Sequence, residues 1–171
     1  MPLADDAAWY AIWTRSNCEQ LVHDQLARKG FDLLLPSVET WVRRGGVRRR
    51  ERVPLFRSYL FLRHTVDKAS YLELCKTRGL VQVLGERWDQ LEEVPDAEVA
   101  AVQKLVRSDL PVFPYPYLRE GQRVRITDGP LADVEGILVR GNPKKGLLVV
   151  SVDLLQRSIA VHLDCTQLEA A

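Results

Sequence analysis

The fold of this chain is decided by the stretch Pro54-Leu55-Phe56-Arg57-Ser58-Tyr59-Leu60-Phe61. Its aromatic and aliphatic residues are typical of a β-strand. The stretch carries more large apolar groups than one buried sheet face requires, which indicates an exposed apolar surface as well as a core. Earlier in the chain, Trp9-Tyr10-Ala11-Ile12-Trp13-Thr14 predicts a second strand of similar character.

Composition is that of a folded globular protein. The 171 residues, 46% of them apolar and 27% charged, can form one ordinary domain or two small ones. Apolar runs such as 147–150 are too short to span a bilayer, and residues 1–6 are acidic where a secretory signal is basic. We therefore expect a cytoplasmic protein with no membrane partner.

The three cysteines, Cys18, Cys75 and Cys165, include no CxxC pair. This spacing supports neither a disulfide framework nor a zinc site, so buried thiols are expected and no cofactor or metal is predicted. The net charge of +1 is uneven, because residues 1–82 hold 14 Lys/Arg against 9 Asp/Glu and residues 83–110 hold 3 against 7. The N-terminal region can therefore present one basic surface.

A proline-rich segment divides the chain. Pro111, Pro114 and Pro116 forbid helix and discourage central strands, which predicts an extended, semi-rigid linker over 109–118 between domains at 1–108 and 119–171.

The first part alternates strands and helices. Ser16-x-x-Glu19 has the spacing of a capping box and predicts a helix that ends at Gly30. Gly45-Gly46 predicts a tight hairpin between strands at 38–44 and 47–53. Further elements are expected as strands at 32–35, 58–64 and 80–84, and as helices at 67–77 and from Pro95 onward. This order predicts an α+β sandwich with a small, mostly antiparallel sheet flanked by helices.

The second part predicts a small β-barrel. Its strands are expected at 123–127, 134–140, 146–152 and 157–163, with turns at Gly129-Pro130, Gly141-Asn142-Pro143 and Leu155-Gln156. Gly136 is expected where two backbones approach closely.

Four ordered blocks carry a family resemblance. Residues 121–136 resemble the KOW motif of SH3-like barrels. Trp9-Tyr10 before a helix, the block 54–61, Thr77-Arg78-Gly79 and Val94-Pro95-Asp96 resemble the NGN domain. In this order, NGN, linker and KOW resemble the NusG family of transcription elongation factors, over nearly the whole chain.

The subfamily stays open. The Pro-Leu-Phe-x-x-Tyr-Leu-Phe form of residues 54–61 is similar to specialised paralogs, the RfaH-like and capsule-operon (UpxY- and LoaP-like) antiterminators. Residues 129–133 and 161–164 instead follow the pattern of housekeeping NusG.

The resemblance implies a monomer that binds the β′ clamp helices of RNA polymerase, reaches the β subunit across the main cleft, suppresses pausing and promotes antitermination. Residue matching implies an apolar groove, in which aromatic anchors would carry most of the binding energy. The implied groove residues are Tyr59, Phe61, Phe56, Leu84, Trp9 and Tyr10. The alternative is that these side chains are core. The implied β-subunit contact falls at Ser70 and Tyr71, although the short polar motif of RfaH-like proteins is not reproduced there.

Six arginines surround the hairpin turn, at Arg43, Arg44, Arg48, Arg49, Arg50 and Arg52. Guanidinium groups are always charged and fork onto phosphate, so these residues predict contact with upstream or non-template DNA. The alternative is a solvated hairpin whose charge prevents edge pairing. Arg15 and His23, on or beside the first helix, are further candidates for contact with the non-template strand.

The resemblance implies ribosomal protein S10 or Rho as partners of the KOW domain, with Leu154, Leu155 and Val150 as the candidate surface. In RfaH this domain can refold into helices. The β-branched residues of 149–161 favour strands, so a stable barrel is expected here.

Two other classes of protein fit less well. A KOW-type ribosomal or RNA-binding protein would carry a stronger basic balance than +1 and would leave the NGN blocks unexplained. His23, His64 and His162 are scattered, and the sequence shows no nucleophile motif, metal spacing or phosphate loop. We therefore do not expect an enzyme.

Overall fold

The computed structural model describes residues 6–140, 145–164 and 168–171, which form two compact units. The first unit holds residues 6–35 and 56–96, and the second holds Pro36–Leu55 and Ala97–Ala171. The units do not divide the chain at the proline-rich segment, and the boundaries 1–108, 109–118 and 119–171 stay a prediction.

The elements in chain order are β1 (Ala8–Thr14), α1 (Glu19–Arg28), β2 (Asp32–Leu34), β3 (Ser37–Arg44), β4 (Val47–Pro54), β5 (Tyr59–His64), α2 (Lys68–Cys75), β6 (Leu80–Val83), β7 (Glu93–Val94), α3 (Asp96–Arg107), β8 (Val112–Tyr115), β9 (Arg123–Ile126), β10 (Glu135–Arg140), β11 (Lys145–Val152), β12 (Arg157–Asp164) and β13 (Leu168–Ala170). The predicted α+β class is confirmed. None of the described helices is long and apolar enough to cross a bilayer.

The first unit is built on an antiparallel sheet in the order β2-β5-β1-β6, with β7 also paired to β1. Ile12 and Leu60 stand opposite each other on one face of this sheet. They belong to a fully buried cluster with Val22 and Leu26 of α1 and Leu74 of α2. The two helices therefore cover this face, and it is the hydrophobic core of the unit.

The predicted capping box at Ser16 is wrong. Helix α1 begins at Glu19 with Cys18 as its N-cap, and no side chain caps it. Asn17 has a left-handed φ of 61°, and the Cys18 N–H donates to the Arg15 carbonyl. A tight turn therefore separates Ser16 from the helix. The capping box occurs instead at α2, between Asp67 and Ser70.

The predicted hairpin is confirmed. Strands β3 and β4 pair without a register break from Ser37 opposite Pro54 to Arg44 opposite Val47. Gly45 and Gly46 supply the positive φ values of 57° and 78° that the two-residue turn requires.

The second unit also contains a six-stranded antiparallel sheet, in the order β13-β9-β10-β11-β12-β8. The proline-rich segment contributes the extended strand β8, and its assignment as a linker between domains stays a prediction. Pro114 is tolerated because β8 is an edge strand, and β12 is its only partner among the described strands. Gly136 lies where expected, since a Cβ there would stand 2.5 Å from the Val149 carbonyl oxygen.

The cysteine expectation is only partly met. Cys18 is half-buried, whereas Cys75, the last residue of α2, is exposed, so a buried thiol there is wrong. The predicted turn at 141–143 and Cys165 lie outside the described residues.

Candidate functional sites

The face of the first sheet opposite the helices carries aromatic residues from β1 and β5. Trp13 pairs directly with Tyr59, and Ala11 pairs with Phe61. Directly paired residues of antiparallel strands point to the same side. Tyr59 and Phe61 therefore share a face, as predicted, and Trp13 joins them.

Burial divides the predicted groove residues into two sets. Phe61 is fully buried and Phe56 is 1% exposed, and their rings meet edge to face with centroids 5.8 Å apart. Tyr59 is half-buried, and its neighbour Trp13 is 41% exposed. The surface that a partner can touch is therefore the Trp13–Tyr59 pair, while Phe56 and Phe61 form core. Trp13 was missed in the sequence because strand alternation does not reveal which end of a face is covered.

The other predicted groove residues are dispersed. Tyr10 pairs with Leu62 on the opposite, helix-covered face and packs against its core, so it does not share the face of Tyr59 and Phe61, and its role in polymerase binding stays a prediction. Burial first, and the Glu93 carboxylate second, raise the pKa of the Tyr10 hydroxyl. Trp9 is half-buried beside β7. Leu84 is half-buried, and its N–H donates to the Ala11 carbonyl at 2.9 Å, which holds it next to the aromatic face.

A buried carboxylate fixes the turn that precedes Tyr59. Glu19 is only 6% exposed, and its Oε1 accepts a hydrogen bond from the Ser58 N–H at 2.8 Å. Ser58 has a φ of 68°, which is unfavourable for a residue with a Cβ, and its carbonyl accepts the Thr14 N–H at 2.8 Å. Glu19 therefore positions the start of β5. The sequence predicted a capping box for Glu19, because local spacing cannot reveal a hydrogen-bond partner that lies 39 positions away.

The predicted β-subunit contact lies in the first turn of α2. The Ser70 N–H donates to Asp67 Oδ1 at 2.7 Å, and Ser70 Oγ accepts the Asp67 N–H at 2.9 Å. Tyr71 packs against the core of the first unit, and burial followed by Cys75 raises the pKa of its hydroxyl. Both residues have structural roles here, and contact with a polymerase subunit stays a prediction.

The hairpin register places its charged residues on two different faces. The part of one face nearest the turn, which we call the arginine–tryptophan face, is exposed at every position, whereas Ser37 and Pro54 farther along the same face are buried and half-buried. It consists of Glu39, Trp41, Arg43, Arg48, Arg50 and Arg52. The opposite face includes Arg44 and Arg49 together with the half-buried Val42, Glu51 and Val53. The six predicted DNA-contacting arginines are therefore not one surface, because four share a face and two do not.

Arg15 and His23 lie in the first unit. Arg15 is exposed, and its backbone N–H donates to the Gly79 carbonyl at 2.8 Å. His23 is half-buried, and its Nδ1 lies 3.1 Å from Asp24 Oδ1. This contact and a hydrogen bond from Gln20 lower the pKa of the Asp24 carboxyl.

The predicted KOW partner surface is mostly interior. Val150 and Leu155 are each 3% exposed, so neither can form a docking surface without rearrangement. Leu154 is half-buried in the 3₁₀ turn Asp153–Leu155 that links β11 and β12. Of the three residues, only Leu154 can contact a partner in this conformation.

A cavity of about 420 Å³ in the second unit is lined by residues of α3 and of the C-terminal sheet, including Glu98, Arg123 and Asp153. Burial first, and the Asp153 carboxylate second, raise the pKa of Glu98. One carboxylate oxygen of Glu98 is buried without a hydrogen-bond partner. Ionisation of Glu98 is therefore less favourable in this cavity than in water. Across the described residues, no group of three or more His, Cys, Asp or Glu side chains is arranged to hold a metal ion.

Comparison with protein families identifies the chain. The family model described as "NusG: Transcription termination factor nusG" matches residues 7–103, which is more than half of the sequence. The chain belongs to the NusG family.

Relatives named "Transcription termination/antitermination protein NusG" match beyond the N-terminal region. The NusG of Escherichia coli K12 is 29% identical over 142 residues, covering 82% of this chain and 78% of that protein. The NusG of Yersinia pestis is 28% identical over 181 aligned positions, covering 99% of each. This NusG-family chain therefore aligns with a relative over almost its whole length, including the C-terminal sheet.

A solved structure shares the fold. The structure titled "Domain interaction in Thermotoga maritima NusG" matches with a TM-score of 0.59 at 21% identity, over 98% of this chain and 99% of that one. The NusG-family fold of the chain is thus supported by sequence and by structure.

Proposed function

We propose that this NusG-family chain is a bacterial transcription elongation factor that binds RNA polymerase across its main cleft, suppresses pausing and promotes antitermination. The observation that carries the proposal is the exposed Trp13 beside Tyr59 on a face whose interior is the buried Phe56–Phe61 pair. Large aromatic side chains on a rigid base are the anchors that dominate protein–protein interfaces. This pair would receive the tip of the β′ clamp helices.

The test is binding to core RNA polymerase by the Trp13→Ala/Tyr59→Ala double variant. Truncation of interface anchors typically removes 2 kcal/mol or more, so we expect affinity to fall at least about 30-fold. The control is Leu21→Ala, because Leu21 is 44% exposed on α1, which packs on the other face of the sheet. If the double variant and the control bound with equal affinity, the aromatic face would not be part of the polymerase interface.

The choice between a specialised paralog and a housekeeping NusG depends on antitermination. The Tyr59-Leu60-Phe61 form of β5 supports a specialised, RfaH-like or capsule-operon role, whereas near full-length similarity to enterobacterial NusG supports the housekeeping role. Read-through of a Rho-dependent terminator, with and without the chain, separates them. We expect increased read-through for the specialised factor, and termination at earlier sites would favour the housekeeping one.

We further propose that the hairpin contacts upstream or non-template DNA. The support is the exposure of Arg43, Arg48 and Arg52 on one face, where fork-shaped donors can reach phosphates. For the C-terminal sheet, Leu154 is the remaining candidate for contact with ribosomal protein S10 or Rho. Loss of binding in Leu154→Glu, with retained binding in Gln156→Glu, would support that role.

A further inference from the structure

The arginine–tryptophan face combines positive charge with an unusually exposed aromatic ring. Trp41 is 56% exposed, the highest value among the large hydrophobic residues exposed in the described part of the chain. The guanidinium carbons of Arg48 and Arg50 lie 5.0 and 6.0 Å from its ring centroid. These cation–π contacts hold the ring in place on the strand and keep two positive charges next to it.

Ion pairing leaves most of this charge available. Glu39 pairs with Arg50 at 3.1 Å. Arg43, Arg48 and Arg52 make no ion pair among the described residues. On the opposite face, Arg44 is paired with Glu51 at 3.2 Å. The exposed face therefore carries three uncompensated guanidinium groups around one indole, and the opposite face is closer to neutral.

The spacing of these groups suits a polynucleotide. Alternate residues of a strand project to one side about 7 Å apart, so Arg48, Arg50 and Arg52 form a row about 14 Å long beside Trp41. This length corresponds to about four nucleotides of a stacked strand. A ring standing out of a positive strand is the arrangement by which proteins bind unpaired bases, because a base stacks on the ring while the cations contact phosphates.

We propose that the arginine–tryptophan face binds single-stranded DNA, with an unpaired base stacked on Trp41 and phosphates held by Arg43, Arg48 and Arg52. This inference rests on the proposed function, since a factor at the polymerase cleft meets the single strands of the transcription bubble. In a duplex both faces of each base are already stacked, so Trp41 would have to unstack a base step.

The test measures binding of the full-length chain to a labelled oligothymidylate about twelve nucleotides long, by fluorescence anisotropy over a range of salt. Trp41→Ala should weaken binding about 5- to 150-fold, the equivalent of one lost base stack, and Trp41→Phe should retain most of the affinity. Arg48→Ala should weaken binding and lower the salt slope by about 0.7.

The matched control is Arg49→Ala, which removes the same charge from the neighbouring position on the opposite face. It should change affinity less than Arg48→Ala does. The inference is overturned if Trp41→Ala binds like the wild type, if Arg48→Ala and Arg49→Ala are equivalent, or if wild type shows no binding. Equal or tighter binding of a matched duplex or of oligouridylate RNA overturns it as well.

Binding to core RNA polymerase, measured with the same variants, separates this inference from the proposed function. Trp41→Ala should retain polymerase binding. A wild-type chain that binds the oligothymidylate through Trp41 but not polymerase would contradict the proposed function and leave the DNA-binding face intact.

Discussion

Glu19 should be one of the most sensitive polar residues of the first unit. Glu19 is 6% exposed, and its carboxylate accepts the Ser58 N–H at 2.8 Å, immediately before Tyr59. Glu19→Ala removes a hydrogen bond to a charged acceptor, worth about 1.5–3 kcal/mol. It also removes an acidic group from the first turn of α1, which contributes about 0.3–1 kcal/mol. Relief of the buried charge and the better helix propensity of alanine oppose these losses.

We therefore expect Glu19→Ala to reduce the free energy of unfolding by about 2 kcal/mol. Glu19→Gln should cost about half as much, because its carbonyl oxygen still accepts the Ser58 N–H but without charge. Ser58→Gly in the Glu19→Ala background should recover about 1 kcal/mol, since glycine adopts a φ of 68° without strain.

Urea unfolding followed by tryptophan fluorescence measures these changes. A Trp41→Phe background is needed, because it leaves Trp9, Trp13 and Trp88, all within the first unit, as reporters. The control Glu73→Ala removes an exposed carboxylate that pairs with Lys29 and Lys76 on the surface, and should leave the midpoint nearly unchanged. If Glu19→Ala and Glu73→Ala have the same midpoint, Glu19 does not hold the Ser58 turn.

Three further predictions concern stability. Phe61→Ala should cost about 3–5 kcal/mol in chemical unfolding because it empties a fully buried site, whereas Tyr59→Ala should cost clearly less, and similar losses would contradict the division between core and surface. Gly136→Ala should cost about 1–3 kcal/mol, since its Cβ would stand 2.5 Å from the Val149 carbonyl oxygen; wild-type stability would show that the strands separate there easily. Burial raises the pKa of Glu98, so the folded state binds the proton of this carboxyl more tightly than the unfolded state does. The stability that this proton contributes is present in acid and is lost as the pH rises through the raised pKa. Glu98→Gln should therefore have a higher Tm than wild type at about pH 8 and the same Tm at about pH 3.5, and a difference that is independent of pH would refute the assignment.

Local sequence patterns predicted the features of the fold that local chemistry controls. The hairpin follows from Gly45-Gly46, and the strand β5 follows from its aromatic and aliphatic residues. Two features depended on contacts distant in sequence. The Glu19 carboxylate accepts a hydrogen bond from Ser58 rather than capping its own helix, and residues 112–115 form strand β8 because they pair with β12.

The candidate sites were harder to predict because exposure is a tertiary property. Strand alternation correctly placed Tyr59 and Phe61 on one face, but it could not show that Phe61 is covered and that Trp13 is not. The arginines illustrate the same limit. Their number indicated a basic hairpin, whereas the pairing of Trp41 with Arg50 and of Val42 with Arg49 decides which of them can act together.

The burial of Phe56 and Phe61 changes how the aromatic block of residues 54–61 acts. Buried rings cannot be anchors, but their edge-to-face packing joins the segment before β5 to β5 itself, the strand that carries Tyr59. The Glu19–Ser58 hydrogen bond fixes the backbone at the residue before Tyr59. A residue whose backbone is already fixed loses less conformational freedom when a partner binds, which would favour affinity at Tyr59. The apolar residues in excess of one core face would thus have two roles in the proposed interface: Trp13 and Tyr59 would offer the contact, and the buried phenylalanines stabilise the unit that carries it.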